Sequence, residues 1–357
     1  MVRTTTAMIA ALAALLVIAG AAEARKPSTK KAIWGPVEVN GVSQFPIYRD
    51  LGAGIYKTVL EWNHVAATRP RHATNPADPA YEWPPELDRA IEEGRRYGIQ
   101  VSLTVMWSPR WANGGRRRQW APAPRHYARF LRAAARRYPS VRYWQIWGEP
   151  SRRANFRPLP SGDATGPRRY ARLLDAAYGA LKSENRRNRV IGGNTFTTGD
   201  VSPKAFIRGM RLPNGRPPRM DMYGHNPFTL RRPDLSQSLF RPPTGYADFS
   251  DLDAVWGWLD RYGYRDSRGR RLRIFLSEWT LPTDHANYEF NFWMTYAVQA
   301  SWLRDALRIV RNSRRLYSLG WIGLYDDPPR PSGDEVNRGL LDYRGVRKPS
   351  FYAYRDG

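Results

Sequence analysis

Short apolar runs alternate along this chain with segments in which apolar residues recur every three or four positions. In the segments between the runs, residues such as Leu87, Ala90, Ile91 and Gly94 fall at i, i+3, i+4 and i+7, which indicates helices. A longer helix is predicted over 291–312. The apolar runs predict eight β-strands, near residues 33–37, 54–61, 99–106, 141–147, 189–195, 221–226, 272–277 and 317–324.

This regular alternation predicts one parallel α/β sheet in a single domain over residues 32–357. The strand count and the length suit a closed (β/α)8 barrel, for which about 250 residues are typical. An open doubly wound sheet is the alternative, but it requires a Gly-rich phosphate-binding turn after the first strand. Here Gly52-Ala53-Gly54 precedes the second strand and opens no helix. The barrel, a TIM barrel, is therefore favoured.

The first 24 residues predict a secretory signal peptide. Arg3 is followed by an apolar stretch over 7–20 and then by Ala22-Glu23-Ala24, a small-residue cleavage site. We expect cleavage after Ala24, a flexible basic leader over 25–31, no stable membrane span after cleavage, and a secreted or envelope-associated protein. An uncleaved membrane anchor is the alternative. The chain has no cysteine and therefore no disulfide framework.

The composition is that of a globular protein, but the net charge of +25 is high. Arginine carries the excess, because only seven of the 57 basic residues are lysines. The charge indicates either attraction to an anionic partner or an arginine-rich codon usage spread over a solvated surface. Charge alone therefore does not identify the partner.

Two of the predicted strands end at a glutamate. The aromatic-rich strand at 141–147 is followed closely by Glu149, and the strand at 272–277 is followed by Glu278. The ends of strands four and seven lie at the functional face of a barrel, so both carboxyls would face one cleft. Cleavage of a glycosidic bond requires two carboxyls, one as acid and the other as nucleophile or base. From position alone, either glutamate could be the acid.

The motifs around these glutamates resemble those of clan A glycoside hydrolases, which are retaining (β/α)8 enzymes. In that clan an Asn-Glu-Pro motif after strand four carries the acid/base, and the glutamate ending strand seven is the nucleophile. Trp147-Gly148-Glu149-Pro150 resembles the first motif, and Leu276-Ser277-Glu278-Trp279 resembles the second. The resemblance therefore implies that Glu149 is the acid/base and Glu278 the nucleophile of a double displacement.

Further short motifs extend the resemblance over nearly the whole predicted domain. Residues 107–112 resemble the strand-three region of families 39, 5 and 10, residues 225–228 the end of strand six, and residues 339–354 a common family 39 ending. One position departs, since Gly148 stands where the clan usually has an asparagine that hydrogen-bonds the sugar 2-hydroxyl. The departure indicates an unusual position 2 in the substrate, a replacement side chain such as Asn194, or a barrel without turnover.

Several side chains near the predicted strand ends are candidate substrate contacts. His225 ends strand six and Tyr223 precedes it by two residues; a core histidine and a tyrosine facing the barrel interior are the alternatives. Sugars stack their C–H faces on aromatic rings, so Trp107 and Trp321, near the ends of strands three and eight, are candidate stacking platforms.

The loop after strand three combines aromatic and basic residues. Trp111 and Trp120 flank three consecutive arginines at 116–118. This combination predicts either a subsite for an acidic sugar or a solvated charged surface. The adjacent Asp326 and Asp327, after strand eight, are weaker candidates for binding substrate or a cation.

Other site classes find no support in the sequence. The five histidines lack zinc-ligand spacing, no Gly-x-Ser-x-Gly elbow of a serine hydrolase is present, and no cofactor or metal is expected. We therefore expect a secreted retaining glycoside hydrolase that acts on a polysaccharide, which could be acidic, and long loops that favour endo-action. A non-catalytic carbohydrate-binding protein on the same barrel is one alternative. A nucleic-acid or envelope binder that acts through its charge is a second alternative. The favoured hydrolase is expected to have no nucleic-acid partner.

Overall fold

The computed structural model describes residues 26–237 and 244–357, and the predicted signal peptide lies outside them. Eight parallel strands close into a barrel in sequence order, with the first strand paired to the last. The predicted (β/α)8 barrel is therefore confirmed. The strands are β1 Ser28–Trp34, β2 Ala53–Glu61, β3 Gln100–Met106, β4 Tyr143–Ile146, β5 Arg189–Phe196, β6 Met222–Asn226, β7 Arg273–Trp279 and β8 Leu316–Ile322.

Helices separate the strands and cover the outside of the barrel. Six of the helices named below begin where the sequence supplies a proline at the first turn or a capping hydroxyl, as at Ser202, whose side chain accepts a hydrogen bond from the Ala205 amide. The helices are α1 Phe45–Asp50, α2 Trp62–Val65, α3 Pro85–Tyr97, α4 Pro124–Arg137, α5 Thr165–Glu184, α6 Pro203–Gly209, α7 Leu252–Arg261, α8 Tyr296–Asn312 and α9 Pro349–Asp356. Within the described ranges, no helix is both long and apolar enough to cross a membrane.

The barrel begins earlier than the sequence predicts. Residues 28–31, expected in a flexible leader, form the first half of β1. The polar character of this segment has a structural cause, because Lys30 donates to the carbonyls of Val310 and Ser313 near the end of α8. Lys31 donates to two carbonyls of α9. These lysines satisfy carbonyls that helix ends leave unpaired.

The barrel interior is filled in layers. Side chains that alternate along the strands point inward. A polar layer follows the apolar one, and in it Gln145 donates to Ser102 at 3.0 Å and accepts a hydrogen bond from Ser277. The apolar layer near the N-terminal ends of the strands comprises Ala32, Ile55, Tyr143, Ile191, Met222, Phe275 and Tyr317.

Candidate active site

A cavity of about 1220 Å³ opens at the C-terminal ends of the strands. Glu149 and Glu278 both line it, so the structure brings the two strand-end glutamates to one site. Eight aromatic residues make up much of its wall, and five carboxylates but only two guanidinium groups face it. The aromatic residues are Trp34, Phe196, Phe228, Tyr288, Phe290, Phe292, Tyr325 and Tyr343.

Glu149 is held at the end of a strained turn after β4. Trp147 and Glu149 have φ angles of 67° and 45°, in the left-handed region that non-glycine residues rarely adopt. Such conformations cost about 1–3 kcal/mol each and concentrate at functional sites. The turn is fixed because the Trp147 amide donates to the Val105 carbonyl and the Trp147 indole donates to the Asn155 carbonyl. The strained turn carries the carboxyl of Glu149 into the cavity.

The Glu149 carboxyl is buried, and three side chains donate to it. Asn226 donates to Oε1 at 3.0 Å, while Arg152 and Asn155 donate to Oε2 at 2.8 and 3.3 Å. Burial raises the pKa of Glu149 above its ordinary value, and the negative charge of Glu278 raises it further. Arg152 and Asn226 oppose that rise only in part. The pKa of Glu149 is therefore shifted in the direction that a proton donor requires.

Glu278 reaches the cavity through an irregularity in β7. Leu276 pairs with Leu319 and Trp279 pairs with Trp321, so β7 has one residue more than β8 between these pairs. A bulge of this kind turns a side chain away from its regular direction and is frequent beside active sites. Ser277 faces the barrel interior, so in a regular strand the next side chain, that of Glu278, would face outward. The extra residue lies in the segment that contains Glu278.

Lys57 of β2 is the charged partner of Glu278. Its Nζ lies 2.6 Å from Oε1 of Glu278, and the lysine is only 1% exposed. The same ammonium lies 4.6 Å from the ring centroid of Trp34, a cavity-lining aromatic. Oε2 of Glu278 has no hydrogen-bond partner within the described residues. The two carboxyls therefore differ, since Glu149 is buried among several donors and Glu278 is fixed through one oxygen by one cation.

Gly148 is closed in by its neighbours. A Cβ atom at this position would lie 3.1 Å from Sδ and 3.3 Å from Cε of Met106, and 3.6 Å from Cγ2 of Thr104. The side chain of Met106 therefore crowds the position from which an asparagine side chain at residue 148 would extend.

Asn194, predicted as a substitute donor, lies beneath the site. It is 1% exposed and its amide donates to the Trp147 carbonyl at 2.9 Å. A Cβ at Gly224 would lie 1.8 Å from its Oδ1, so the neighbouring strand must be glycine there. Asn194 therefore supports the strained turn that carries Glu149, and it does not line the cavity.

His225 and Tyr223 belong to a buried chain of hydrogen bonds. Nε2 of His225 lies 3.0 Å from the Ala247 carbonyl, and Nδ1 lies 2.9 Å from Thr195 Oγ1, which in turn lies 3.0 Å from the Tyr223 hydroxyl. Burial lowers the pKa of His225 to about 4, so the ring is neutral. Because a carbonyl only accepts, Nε2 carries the proton and Thr195 donates to Nδ1. Both residues are fully buried and neither lines the cavity.

The tryptophans singled out from the sequence lie outside the cavity wall. Trp321 is fully buried and donates to the Gly323 carbonyl. Trp111 donates to the Ala66 carbonyl and packs edge-on against Trp62. The guanidinium group of Arg118 lies 4.6 Å from the ring centroid of Trp107. The structure thus assigns each ring a protein contact, and the predicted sugar stacking at these positions stays a prediction.

The arginine run after β3 is stacked on its own loop. Arg116 lies 4.2 Å from the ring centroid of Trp120, and Arg118 bridges Glu61 at 3.2 Å besides covering Trp107. None of these residues lines the cavity. This arrangement favours the solvated charged surface over the acidic-sugar subsite.

Sequence reasoning missed an aromatic wall made of phenylalanines. Phe196, Phe228, Phe290 and Phe292 follow one another with ring centroids 5.5, 6.1 and 5.7 Å apart. For Phe290 and Phe292, the signal was the aromatic-rich segment that follows Glu278. The predicted helix over 291–312 concealed Phe292, because α8 begins only at Tyr296, where Thr295 caps it.

The two aspartates after β8 have different surroundings. Asp326 is buried and both its oxygens lie 3.0 Å from Nζ of Lys348, so it fixes the loop after β8 to the segment before α9. Asp327 lies 3.4 Å from Arg330. Among the described residues, no group of three or more His, Cys, Asp or Glu side chains is arranged to hold a metal ion.

No protein-family model and no curated protein matches the sequence. The fold matches solved structures, among them a family 39 glycoside hydrolase from the gut symbiont Bacteroides cellulosilyticus, with a TM-score of 0.67 and 19% identity over 92% of this chain and 63% of that one. A monomeric β-xylosidase from Caulobacter crescentus matches with a TM-score of 0.62 and 15% identity over 91% of this chain and 67% of that one. A family 39 enzyme from Xanthomonas axonopodis pv. citri matches with a TM-score of 0.59 and 17% identity over 93% of this chain and 67% of that one.

The chain thus spans about two thirds of the length of these proteins, or slightly less. At such identities the likeness concerns the fold. The resemblance of the short motifs to family 39 is matched by a barrel that is similar to family 39 barrels along nearly the whole chain.

Proposed function

We propose that the protein is a retaining glycoside hydrolase in which Glu149 is the acid/base and Glu278 the nucleophile. The observation that carries the proposal is the unequal environment of the two carboxyls in one cavity. Burial and a nearby negative charge favour the protonated form of Glu149, as an acid requires. The Lys57 ammonium 2.6 Å from Glu278 holds that carboxylate in place and leaves its other oxygen without a partner among the described residues.

The reaction proceeds in two displacements. In the first, a carboxylate oxygen of Glu278 bonds to the anomeric carbon, the glycosidic C–O bond breaks, and the proton of Glu149 passes to the departing oxygen. In the second, Glu149 takes a proton from water, the water oxygen bonds to the anomeric carbon, and the bond to Glu278 breaks. The similarity in fold to family 39 glycoside hydrolases supports this reaction class.

The substrate is a polysaccharide or an oligosaccharide. A cavity of about 1220 Å³ with an aromatic wall suits several stacked sugar rings. Its two guanidinium groups already lie on carboxylates, Arg152 on Glu149 and Arg338 on Glu289. This balance favours a neutral sugar in the cavity over the acidic sugar considered from the sequence. Endo-action and secretion, with Arg25 as the new N-terminus, remain parts of the proposal.

The test is a screen of the purified protein against neutral and acidic cell-wall polysaccharides, with Glu278→Gln as the control. We expect turnover of at least one neutral glycan by the wild type and none by the variant. Full activity in Glu278→Gln would refute the assignment. Binding of a glycan at matched concentration without turnover of any would favour the carbohydrate-binding alternative.

Retention is tested separately by following the anomeric configuration of the first product by proton NMR. Retaining enzymes hold the two carboxyl groups about 5–5.5 Å apart, whereas inverting enzymes separate them by about 6.5–9.5 Å. We expect the product to keep the anomeric configuration of the substrate. Inversion would exclude Glu278 as a nucleophile.

A further inference from the structure

A second cavity lies at the opposite end of the barrel. It has a volume of about 780 Å³ and is lined by residues at the N-terminal ends of the strands and in the loops that precede them. Tyr143 of β4 and Tyr317 of β8, whose hydroxyl groups are hydrogen-bonded to each other, contribute to its lining. The proposed catalytic cavity is formed by the other ends of the same strands, so the two sites are separate.

Cations dominate the lining of this basal cavity. Two of its basic residues have carboxylate partners that also line it: Lys182 lies 2.8 Å from Asp221, and Arg270 lies 2.8 Å from Asp266. The other basic residues have no carboxylate partner within the described part of the chain. They are Arg142, Arg186, Arg187, Arg189, Arg268 and Arg273.

Two of these arginines are held against the tyrosine rings. The guanidinium group of Arg189 lies 5.7 Å from the ring centroid of Tyr143 and 5.5 Å from that of Tyr317, and Arg273 lies 4.5 Å from that of Tyr317. Arg189 also donates to the Tyr317 hydroxyl at 3.2 Å. Contact with a ring face orders a guanidinium group without using its in-plane donors. Arg189 gives one of its donors to Tyr317, and its other donors can make contacts with oxyanions.

The placement is systematic along the chain. Arg189 and Arg273 are the first residues of β5 and β7, Arg142 directly precedes β4, and the remaining unpaired arginines lie in the loops before β5 and β7. Because the N-terminal ends of parallel strands meet at one end of a barrel, these positions converge. Like charges so gathered repel one another, and a bound polyanion would relieve that repulsion.

We propose that this basal cavity binds a uronate-containing polysaccharide and anchors the protein to it. The unpaired guanidinium groups match carboxylates repeated along a chain, and the concave shape admits a narrow flexible chain more readily than a duplex. A volume of about 780 Å³ lies within the usual range of ligand sites. The choice of a glycan over another polyanion rests on the proposed function. The site then explains part of the net charge of +25, which the catalytic cavity does not use.

The experiment measures binding of a size-defined oligogalacturonate by calorimetry at low and high salt, with an uncharged xylo-oligosaccharide and single-stranded DNA of equal charge as comparisons. We expect the oligogalacturonate to bind more tightly than the DNA, with an affinity that falls as salt rises, whereas binding of the uncharged xylo-oligosaccharide in the catalytic cavity should not depend on salt. The double variant Arg189→Gln with Arg273→Gln should bind at least tenfold more weakly. The second double variant, Arg186→Gln with Arg187→Gln, should also weaken binding. Its two positions lie in an exposed loop, so this variant tests the proposal even if the first variant misfolds.

The matched control is Arg208→Gln with Arg304→Gln, which removes the same charge from exposed helix positions outside the cavity. It should change affinity less than twofold. Equal losses in the control and cavity variants would overturn the proposal in favour of diffuse charge. Tighter binding of the DNA, sensitive to the same arginines, would overturn the assignment to a glycan. Because binding is read directly, it can be positive even if the protein hydrolyses nothing, which separates this proposal from the proposed function.

Discussion

The Lys57 ammonium lies 2.6 Å from Oε1 of Glu278, although the two residues are 221 positions apart in the chain. Lys57 is almost completely buried and its other close neighbour is the ring of Trp34. An anionic partner stabilises a buried ammonium, so the lysine and the glutamate fix each other's position. Lys57 is thus a positioning residue for the proposed nucleophile.

Replacing Lys57 with methionine tests this role. Methionine is unbranched like lysine, shorter by one atom and uncharged, so Glu278 loses the contact that orients it for attack. We expect kcat/KM to fall about 10–100-fold on every substrate, because small misplacements of reacting groups cost up to about 10²-fold. Steady-state kinetics measure the loss, and a circular dichroism spectrum verifies the fold.

Lys57→Arg is the conservative control for that variant. Arginine keeps a cation near Glu278, so this variant should recover part of the lost activity. Because arginine should fit the buried space less well than methionine, such a recovery would be due to the charge and not to packing. A folded Lys57→Met protein with wild-type kcat/KM would show that the ion pair serves stability alone.

Replacement of Glu149 by glutamine should affect substrates according to their leaving groups. Without its proton donor, the enzyme must expel an unprotonated oxygen, which costs about 10²–10⁴-fold for a sugar leaving group. An aryl glycoside with an acidic phenol needs little protonation, so its glycosylation step should be much less affected. Kinetics on the two substrate types measure the difference.

Glu278→Gln is the comparison variant, because loss of a nucleophile should abolish turnover of both substrate types. Equal losses on both substrates in Glu149→Gln would contradict the assignment of Glu149 as the proton donor.

The raised pKa of Glu149 predicts that both activity and stability fall as the pH rises. Burial, and next the charge of Glu278, shift it above the ordinary value of 4.5. Activity should therefore fall as the pH rises through the pKa of Glu149 in the folded protein, because the acid is then deprotonated. A carboxyl with a higher pKa in the folded state holds its proton more tightly when folded. The free energy of unfolding therefore decreases as the pH rises from the pKa of Glu149 in the unfolded state to its pKa in the folded state.

The Glu149→Gln variant separates this stability effect from others. Glutamine cannot ionise, so the melting temperature of the variant relative to wild type should be higher at pH 8 than at pH 4. Melting curves at several pH values measure this difference. A difference that does not change with pH, or that changes in the opposite direction, would contradict the raised pKa.

The barrel and the two glutamates were predictable because their signals are local. Each strand is a short apolar run, and Glu149 and Glu278 directly follow two of them. The partners of these carboxyls were not predictable in the same way. Asn226 donates to Glu149 although the two residues are 77 positions apart in the chain. Lys57 lies within an apolar strand, and nothing in the local sequence indicates that it pairs with Glu278.

Burial also escaped the sequence. Trp321, His225 and Tyr223 occur at strand ends as site residues do, yet their rings are enclosed by the barrel. An aromatic ring suits a core and a sugar platform equally well, and residue type does not distinguish the two. One member of the phenylalanine wall, Phe292, was missed for a different reason, because the sequence assigned it to a helix that begins only at Tyr296.

The contact between Gly148 and Met106 predicts a coupled pair of substitutions. A Cβ at position 148 would lie 3.1 Å from Sδ of Met106, so Gly148→Asn should destabilise the protein by about 1–3 kcal/mol through overpacking. Met106→Ala alone leaves a cavity and should cost about 2–5 kcal/mol. In the double variant the asparagine enters that cavity, so the combined loss should be smaller than the sum of the two single losses.

Urea unfolding of the four proteins in this cycle measures the coupling, which for contacting residues is about 0.5–3 kcal/mol. The control cycle replaces Gly148→Asn with Gly257→Asn, because Gly257 is exposed on α7 and a Cβ atom there would meet nothing within 4 Å. That cycle should be additive. Additivity in both cycles would mean that Met106 does not occupy the space of the missing asparagine side chain, and Gly148 would then need another explanation.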